Sequence, residues 1–336
     1  MPLNVLITVK LPDELLDRIR TISPEVQLVY APVKRPDELP PGSLAAAEVM
    51  YTMDVLPRPE EAPRLRWVQF QAAGIDHVVG QALFDTDTMI TTASGIHAIQ
   101  VAEYVMAMLL AWAHRLPSLF IHQQRGMWPS GRWERFVPRE LNGATIGILG
   151  YGSIGREVAR LARSFGMRVL ATKRDVRRVA DEGHRLSGIG DPSGELPDRI
   201  YPPSATASLV SECDYVVLCL PLTQETRHLI DEEMLRAFRP TGLLVNVGRG
   251  GLVDEGALIR ALKRGWLGGA ALDVFEVEPL PADSPLWKMD NVILSPHVAG
   301  FTPTYDQRAV DLFVRNIRRY LEHLPLLNLA DPHIGY

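Results

Sequence analysis

Thr145-Ile-Gly-Ile-Leu-Gly150-Tyr151-Gly152-Ser153-Ile154-Gly155 is the stretch on which the fold turns. A short β-prone apolar run ends in Gly-x-Gly-x-x-Gly and leads into a helix-like segment, the setting that lifts such a match above chance. Gly150 permits the tight turn, Gly152 lets the backbone approach a pyrophosphate, and Gly155 lets the helix pack close while its N-terminus faces the phosphates. The stretch predicts a dinucleotide site at the carboxyl end of a parallel strand.

About 20 residues further on, the fingerprint expects an acidic residue to accept hydrogen bonds from the adenosine ribose. This chain has Thr172-Lys173-Arg174 there. Cations at that point suit a 2′-phosphate and hence NADP(H). NAD is the alternative, with Asp175 reading the ribose through a shifted register.

The rhythm of the first run repeats along the chain. Met167 to Thr172, Tyr215 to Leu220, Leu243 to Val247, Gly269 to Asp273 and Val292 to Leu294 follow it at helical spacings, which predicts a doubly wound parallel sheet. Before it, Leu3 to Val9, Val26 to Tyr30, Glu48 to Thr52, Leu65 to Phe70 and Met89 to Thr92 alternate with polar or helix-like stretches such as Pro12 to Arg20, a second α/β unit. Ala98 to Ala113 is apolar on every side, carries Gln100 and Glu103, and is short of the roughly 20 residues a bilayer span needs, so it reads as a buried helix. Asp306 to Leu321 places Val310, Phe313, Val314, Ile317 and Tyr320 at helical spacing and reads as a closing amphipathic helix. Asp175 to Pro203 is long for a connection in such a sheet; it reads as a solvated loop or as a cover over the adenosine end.

Composition agrees with a soluble two-domain enzyme. The chain has 336 residues, 46% hydrophobic and 22% charged, with 35 Lys+Arg against 40 Asp+Glu. That balance gives no basic excess to attract nucleic acid or an anionic membrane surface. Cys213 and Cys219 stand about 20 Å apart if extended, beyond disulfide reach, and read as buried thiols in a reducing compartment. The N-terminal run lacks the basic region and cleavage site of a signal peptide, so a cytoplasmic protein is expected. His97 and His114 show no metal-ligand spacing and read as helix-end or packing residues; no metal is expected.

In an open parallel sheet, ligands bind beyond the carboxyl ends of the strands. Those ends deliver Gly150, Lys173-Arg174, Leu220-Pro221, Gly248-Arg249, Asp273 with Glu276 and Glu278 just beyond, and Pro296-His297. Reducing a 2-oxo acid needs a cation to fix the carboxylate and polarise the ketone, and an acid to protonate the new alkoxide. Arg249 offers an always-charged planar fork, His297 an imidazole that titrates near neutrality, and a neighbouring carboxylate would keep the imidazolium populated. On charge alone Glu276 and Glu278 compete for that last role. Gln71-Ala-Ala73-Gly74-Ile75, after a strand of the first unit, reads as an anion nest of backbone N–H groups or as an ordinary turn.

Val245-Asn-Val247-Gly-Arg249-Gly, Ala271-Leu-Asp273-Val-Phe-Glu-Val-Glu278-Pro and Leu294-Ser-Pro-His297-Val-Ala-Gly, with Ala73-Gly74-Ile-Asp76 and Leu220-Pro221-Leu-Thr, resemble the motifs of the D-isomer-specific 2-hydroxyacid dehydrogenases over nearly the whole chain. The resemblance implies two doubly wound domains. A flavodoxin-like substrate domain comprises residues 1–96 and 300–336, and a Rossmann nucleotide domain comprises 97–299, with catalysis in the cleft between them. It implies that Arg249 holds substrate, His297 moves the proton and Glu278, selected over Glu276, pairs with the histidine. Gly150 to Gly155, Lys173, Arg174, Leu220, Pro221, Thr226, Val247, Asp273 and His297 would bind cofactor, Asp273 at the nicotinamide carboxamide. Ala73, Gly74, Ile75 and Arg249 would bind substrate.

The expected activity is reduction of a small 2-oxo acid to a D-2-hydroxy acid by NADPH or NADH in a homodimer, with the Ala98 to Ala113 helix near its interface. Ser94-Gly-Ile-His97 and Thr172-Lys-Arg174 resemble NADPH-dependent reductases of glyoxylate and hydroxypyruvate. Two alternatives remain. One is a nucleotide-sensing binding protein like the corepressor built on the same fold. The other is a formate dehydrogenase, a branch that pairs its histidine with glutamine where this chain has Glu278.

Overall fold

Every ladder in the chain is parallel, so each strand must be joined to the next by a crossover, and the helices come to lie on both faces of two sheets. The computed structural model describes residues 2–181 and 183–331. They divide into one unit of Met1–Ile96, Gly183–Leu186 and Thr302–Tyr336 and another of His97–Glu182 and Ser187–Phe301.

The first unit contains β1 (Leu3–Ile7), α1 (Asp13–Arg20), β2 (Val26–Tyr30), α2 (Ser43–Ala46), β3 (Val49–Thr52), β4 (Trp67–Phe70) and β5 (Met89–Thr91). Its strand order β2-β1-β3-β4-β5 is the flavodoxin-like order. The period-2 alternation of each strand divides the core between the faces. Leu6, Met50, Val68 and Ile90 go to one side, and Val5, Ile7, Val49, Tyr51 and Trp67 to the other. The chain returns at its C-terminal end to cover that second side with a long helix, Tyr305–Leu321. There Phe313 stacks on Tyr51 with centroids 4.6 Å apart and meets Trp67 at 5.4 Å. Each such buried side chain contributes about 1.5–3 kcal/mol.

The second unit runs α3 (Ala98–Ala113), α4 (Leu116–Gln124), α5 (Arg132–Arg135), β6 (Thr145–Leu149), α6 (Ser153–Ser164), β7 (Arg168–Thr172), β8 (Arg199–Tyr201), α7 (Thr206–Glu212), β9 (Tyr215–Leu218), α8 (Glu232–Arg236), β10 (Leu243–Asn246), α9 (Glu255–Arg264), β11 (Gly269–Leu272) and β12 (Val292–Leu294). The C-terminal helix of the first unit, Tyr305–Leu321, is therefore α10. Ile146, Ile148, Val217, Val245 and Ala271 pack with α3 and α6 on one face, and Leu149, Val216, Leu218, Leu244 and Leu272 with α7 and α9 on the other. The order β12-β11-β10-β9-β6-β7-β8 reverses direction between β6 and β9, which places the switch point of a Rossmann sheet at the end of β6.

The sequence reading gave this sheet six strands; it has seven. The additional strand, β8, lies inside the segment read as a loop and pairs Arg199, Ile200 and Tyr201 with Leu170, Ala171 and Thr172. Nor is the rest of 175–203 simply solvated, for Asp191 and His184 are buried within it. Residues 183–186 fold with the first unit, where the His184 N–H donates to Asn328 Oδ1 at 2.8 Å and Nδ1 lies 3.1 Å from an Arg315 nitrogen. His97 and His114 cap the two ends of α3. Among the described residues, no single helix is long and apolar enough to cross a membrane, and no three His, Cys, Asp or Glu side chains gather as a metal site.

Candidate active site

The glycine turn is built as its chemistry requires. Gly150 has φ +104°, a conformation that favours glycine, and its N–H donates to Thr172 Oγ1 at 3.1 Å, while the Tyr151 N–H donates to the Thr172 carbonyl at 3.0 Å. A Cβ on Gly155 would lie 2.2 Å from the Gly150 carbonyl oxygen, so α6 can approach the turn only without a side chain there. A Cβ on Gly152 would meet nothing within 4 Å. The N-terminus of α6, beginning at Ser153 and Ile154, thus opens on a cradle that fits the pyrophosphate of NAD(P).

Beyond β7, Lys173 is tied by its N–H to the Tyr201 carbonyl of β8, and Arg174 is exposed. Asp175 is committed locally. Its Oδ1 accepts from the Arg177 N–H at 2.9 Å and its Oδ2 lies 3.7 Å from Arg178 Nε. The sequence reading had not singled out Arg177 and Arg178, although their charges follow Lys173 and Arg174 within one short run.

Across the switch point, β9 leads to Leu220 and Pro221. Thr226 donates to the Pro221 carbonyl at 2.8 Å and accepts from the Thr223 N–H at 2.8 Å, so its hydroxyl shapes this turn. The Val247 N–H donates to the Leu218 carbonyl, and Arg249 follows half-buried, with a guanidinium nitrogen on the Gly248 carbonyl at 2.9 Å. Asp273, 2% exposed, ends β11. Its carboxylate accepts from the Ser295 hydroxyl at 2.5 Å and from the Val298 and Ala299 N–H groups at 2.9 Å, and its carbonyl accepts from the His297 N–H at 2.8 Å. The side chain proposed to face cofactor is therefore also the one that holds the His297 segment in place.

His297 presents an exposed imidazole whose Nδ1 lies 2.8 Å from Glu278 Oε2, while Glu278 Oε1 accepts from the Phe275 N–H at 3.0 Å. Glu276 turns elsewhere and pairs with His228. Geometry thus decides between two carboxylates that charge alone left equivalent. A further group enters that no local pattern signalled. Tyr104, from α3, lies 2.5 Å from Ser295 Oγ, extending the Asp273–Ser295 chain; burial raises its hydroxyl above its ordinary value.

In the first unit, the loop after β4 is fixed through Gln71, whose side chain donates to Asp306 at 2.8 Å and whose carbonyl accepts from the Tyr305 hydroxyl at 3.0 Å. Ile75 is fully buried, and Ala73 and Gly74 are half-exposed. Among the described residues, the N–H groups of Ala73, Gly74 and Ile75 donate to no protein acceptor. Successive free amides of this kind form an anion-binding concavity.

Residues 106–299 match the family model of the D-isomer specific 2-hydroxyacid dehydrogenase NAD binding domain, more than half of the chain. The chain belongs to the D-isomer-specific 2-hydroxyacid dehydrogenases. It is an oxidoreductase with NAD(P) as cofactor that reduces a 2-oxo acid to a D-2-hydroxy acid. Among relatives of this dehydrogenase, the glyoxylate reductase of Aeropyrum pernix is 37% identical over 299 residues, covering 86% of this chain and 84% of that one. The glyoxylate reductase of Korarchaeum cryptofilum is 37% identical over 260 residues, covering 77% and 74%. The D-isomer specific 2-hydroxyacid dehydrogenase of Xanthobacter autotrophicus, solved with NADPH and MES, is 29% identical with a TM-score of 0.82 and full coverage of both chains. The NADPH-dependent glyoxylate/hydroxypyruvate reductase of Sinorhizobium meliloti, solved with NADP and sulfate, is 26% identical with a TM-score of 0.80, covering 99% and 100%.

Proposed function

We propose that this dehydrogenase reduces small 2-oxo acids of the glyoxylate and hydroxypyruvate type with a preference for NADPH. The observation that carries the assignment of roles is the His297–Glu278 pair standing with Arg249 at the carboxyl ends of neighbouring strands of the sheet that carries the glycine cradle. Arg249 fixes the substrate carboxylate and polarises the carbonyl. His297 protonates the oxygen as it becomes an alkoxide, and Glu278 orients the ring and keeps it charged. The Ala73, Gly74 and Ile75 amides receive the substrate carboxylate.

NADPH, when bound, supplies the hydride. Gly150 to Gly155 would hold its pyrophosphate, Lys173 and Arg174 its 2′-phosphate, and Leu220, Pro221, Thr226, Val247 and Asp273 the nicotinamide half. The run of cations after β7 and the local commitment of Asp175 support NADPH over NADH. The residue division is read as substrate domain for 1–96 with 300–336 and nucleotide domain for 97–299.

A homodimer is supported by the apolar side chains that follow α3. Trp128 is 83% exposed and Trp133 75%, beside Met127 and Val137 on a groove of about 740 Å³. The free thiols of Cys213 and Cys219 support a reducing, cytoplasmic setting.

The test is a panel of 2-oxo acids with both cofactors, following nicotinamide oxidation. Turnover of glyoxylate or hydroxypyruvate with NADPH is expected. No turnover of any member, with cofactor shown to bind, would leave a nucleotide-sensing protein as the better reading.

A further inference from the structure

The segment between β7 and β8 is fastened to the start of α6 by side chains that the proposed chemistry does not use. Tyr151, the second residue of the glycine turn, is 2% exposed, and its hydroxyl donates to Asp191 Oδ2 at 2.5 Å. The Asp191 carboxylate accepts three further hydrogen bonds, from the N–H groups of Gly194 and Glu195 at 3.1 Å and of Leu196 at 2.9 Å. Arg156, immediately after Gly155, is 1% exposed, and its guanidinium lies 4.7 Å from the Tyr151 ring centroid. Its two terminal nitrogens donate at 2.5 Å to the carbonyls of Asp191 and Val179, residues that lie twelve positions apart and are thus drawn onto one side chain. Beside them, buried Glu157 accepts from the Gly190 N–H at 2.7 Å.

An arginine buried to this extent is costly unless its donors are satisfied. A carboxylate accepting four hydrogen bonds is held in one orientation. The arrangement therefore fixes where the chain lies at Val179 and again at Asp191. It leaves little freedom to the short run Lys173 to Arg178 that joins Val179 to the end of β7.

We propose that Tyr151, Arg156 and Asp191 are positioning residues for cofactor selection: they latch the inserted segment to α6 and so preset the Lys173–Arg178 run for the 2′-phosphate of NADPH, without touching that phosphate themselves. The proposal rests on the NADPH reading above. A cationic run held in place before binding has less freedom to lose when the phosphate arrives, and that saving appears only for the ligand that carries the phosphate.

Asp191→Asn and Tyr151→Phe test it. The amide places an NH2 group against backbone donors, and phenylalanine keeps the ring over Arg156 while losing the one hydroxyl. Dissociation constants of the whole enzyme are measured for NADPH and NADH, and for 2′,5′-ADP and 5′-AMP, which isolate the adenosine end. Trypsin cleavage after Arg177 and Arg178 is timed alongside. NADPH and 2′,5′-ADP should bind about fivefold more weakly in either variant, the ratio corresponding to the net worth of one hydrogen bond, with NADH and 5′-AMP changed less than about twofold. Cleavage should quicken. Equal weakening of phosphorylated and unphosphorylated ligands, or unchanged binding with unchanged cleavage, overturns the latch while the NADPH reading stands. A wild type that binds NADH as tightly as NADPH overturns that reading and the latch with it. If Asp191→Asn does not fold, Tyr151→Phe decides alone.

Discussion

Replacing Glu278 by glutamine keeps the size of the side chain and removes one acceptor. The carboxylate uses both oxygens, Oε1 for the Phe275 N–H at 3.0 Å and Oε2 for His297 Nδ1 at 2.8 Å. An amide has one oxygen and one NH2 group, so it can satisfy only one of these partners. If the oxygen stays on Phe275, the NH2 faces Nδ1, which must then accept, and the protonated ring loses its support. If the oxygen turns to Nδ1, two donors oppose each other at Phe275. A charge-assisted hydrogen bond is worth about 1.5–3 kcal/mol against about 1 for a neutral one. The side chains are 51% and 36% exposed, so solvent screening places the loss at the lower end of that difference, about 1 kcal/mol. Because the charged ring is needed as the proton moves, the loss should fall on kcat, by roughly five- to tenfold, with KM little changed. His297→Ala, which removes the acid itself, should cost about 10²–10⁴-fold. The assay is 2-oxo acid reduction with nicotinamide deuterated at the transferred position, so that the isotope effect shows whether hydride transfer limits the rate. Wild-type kcat in Glu278→Gln with a full isotope effect would refute the assignment.

Arg249→Lys keeps the charge and loses the planar fork, so kcat/KM for the 2-oxo acid should drop at least about tenfold while the NADPH dissociation constant stays within about twofold; equal losses in both would make Arg249 a structural residue. Lys173→Asp combined with Arg174→Ser should erase most of the preference for NADPH, a preference of roughly tenfold if one charge-assisted contact is retained in the wild type, and the ratio of kcat/KM for the two cofactors measures it. Burial pushes the Asp191 carboxyl up, but the Tyr151 hydroxyl, the Leu196 and Glu195 N–H groups and the Arg156 charge outweigh it and leave it below the usual carboxylate range. Its contribution is therefore complete above the unfolded value of about 4 and is lost as pH falls through the lower folded value; in denaturant melts the stability gap between wild type and Asp191→Asn should be level from neutral pH down to about pH 4 and close below it. Trp128→Glu with Trp133→Glu should convert the dimer to monomer in light scattering, and an unchanged mass would remove that face from the interface.

What the sequence by itself determined follows from local patterns with local causes. Apolar runs spaced by helical lengths require parallel strands with crossovers, and the glycines of 150–155 mark the one turn where a backbone must come close to a phosphate. Both sheets follow from this, as does the convergence of Lys173, Arg249, Asp273 and His297 on strand ends. The three residues of β8 escaped because Arg-Ile-Tyr is too short to show a period, and its strand character comes from pairing with β7 at the sheet edge. Glu276 and Glu278 lie two positions apart in an irregular turn. Only the path of that turn sends one to His228 and the other to His297. Tyr104 stands 191 residues from Ser295 and Arg156 stands 35 from Asp191, separations across which no local periodicity carries information. The cause in each case is the same: a polar group enclosed by packing must find a partner wherever the fold brings one within reach, and that choice belongs to the tertiary structure.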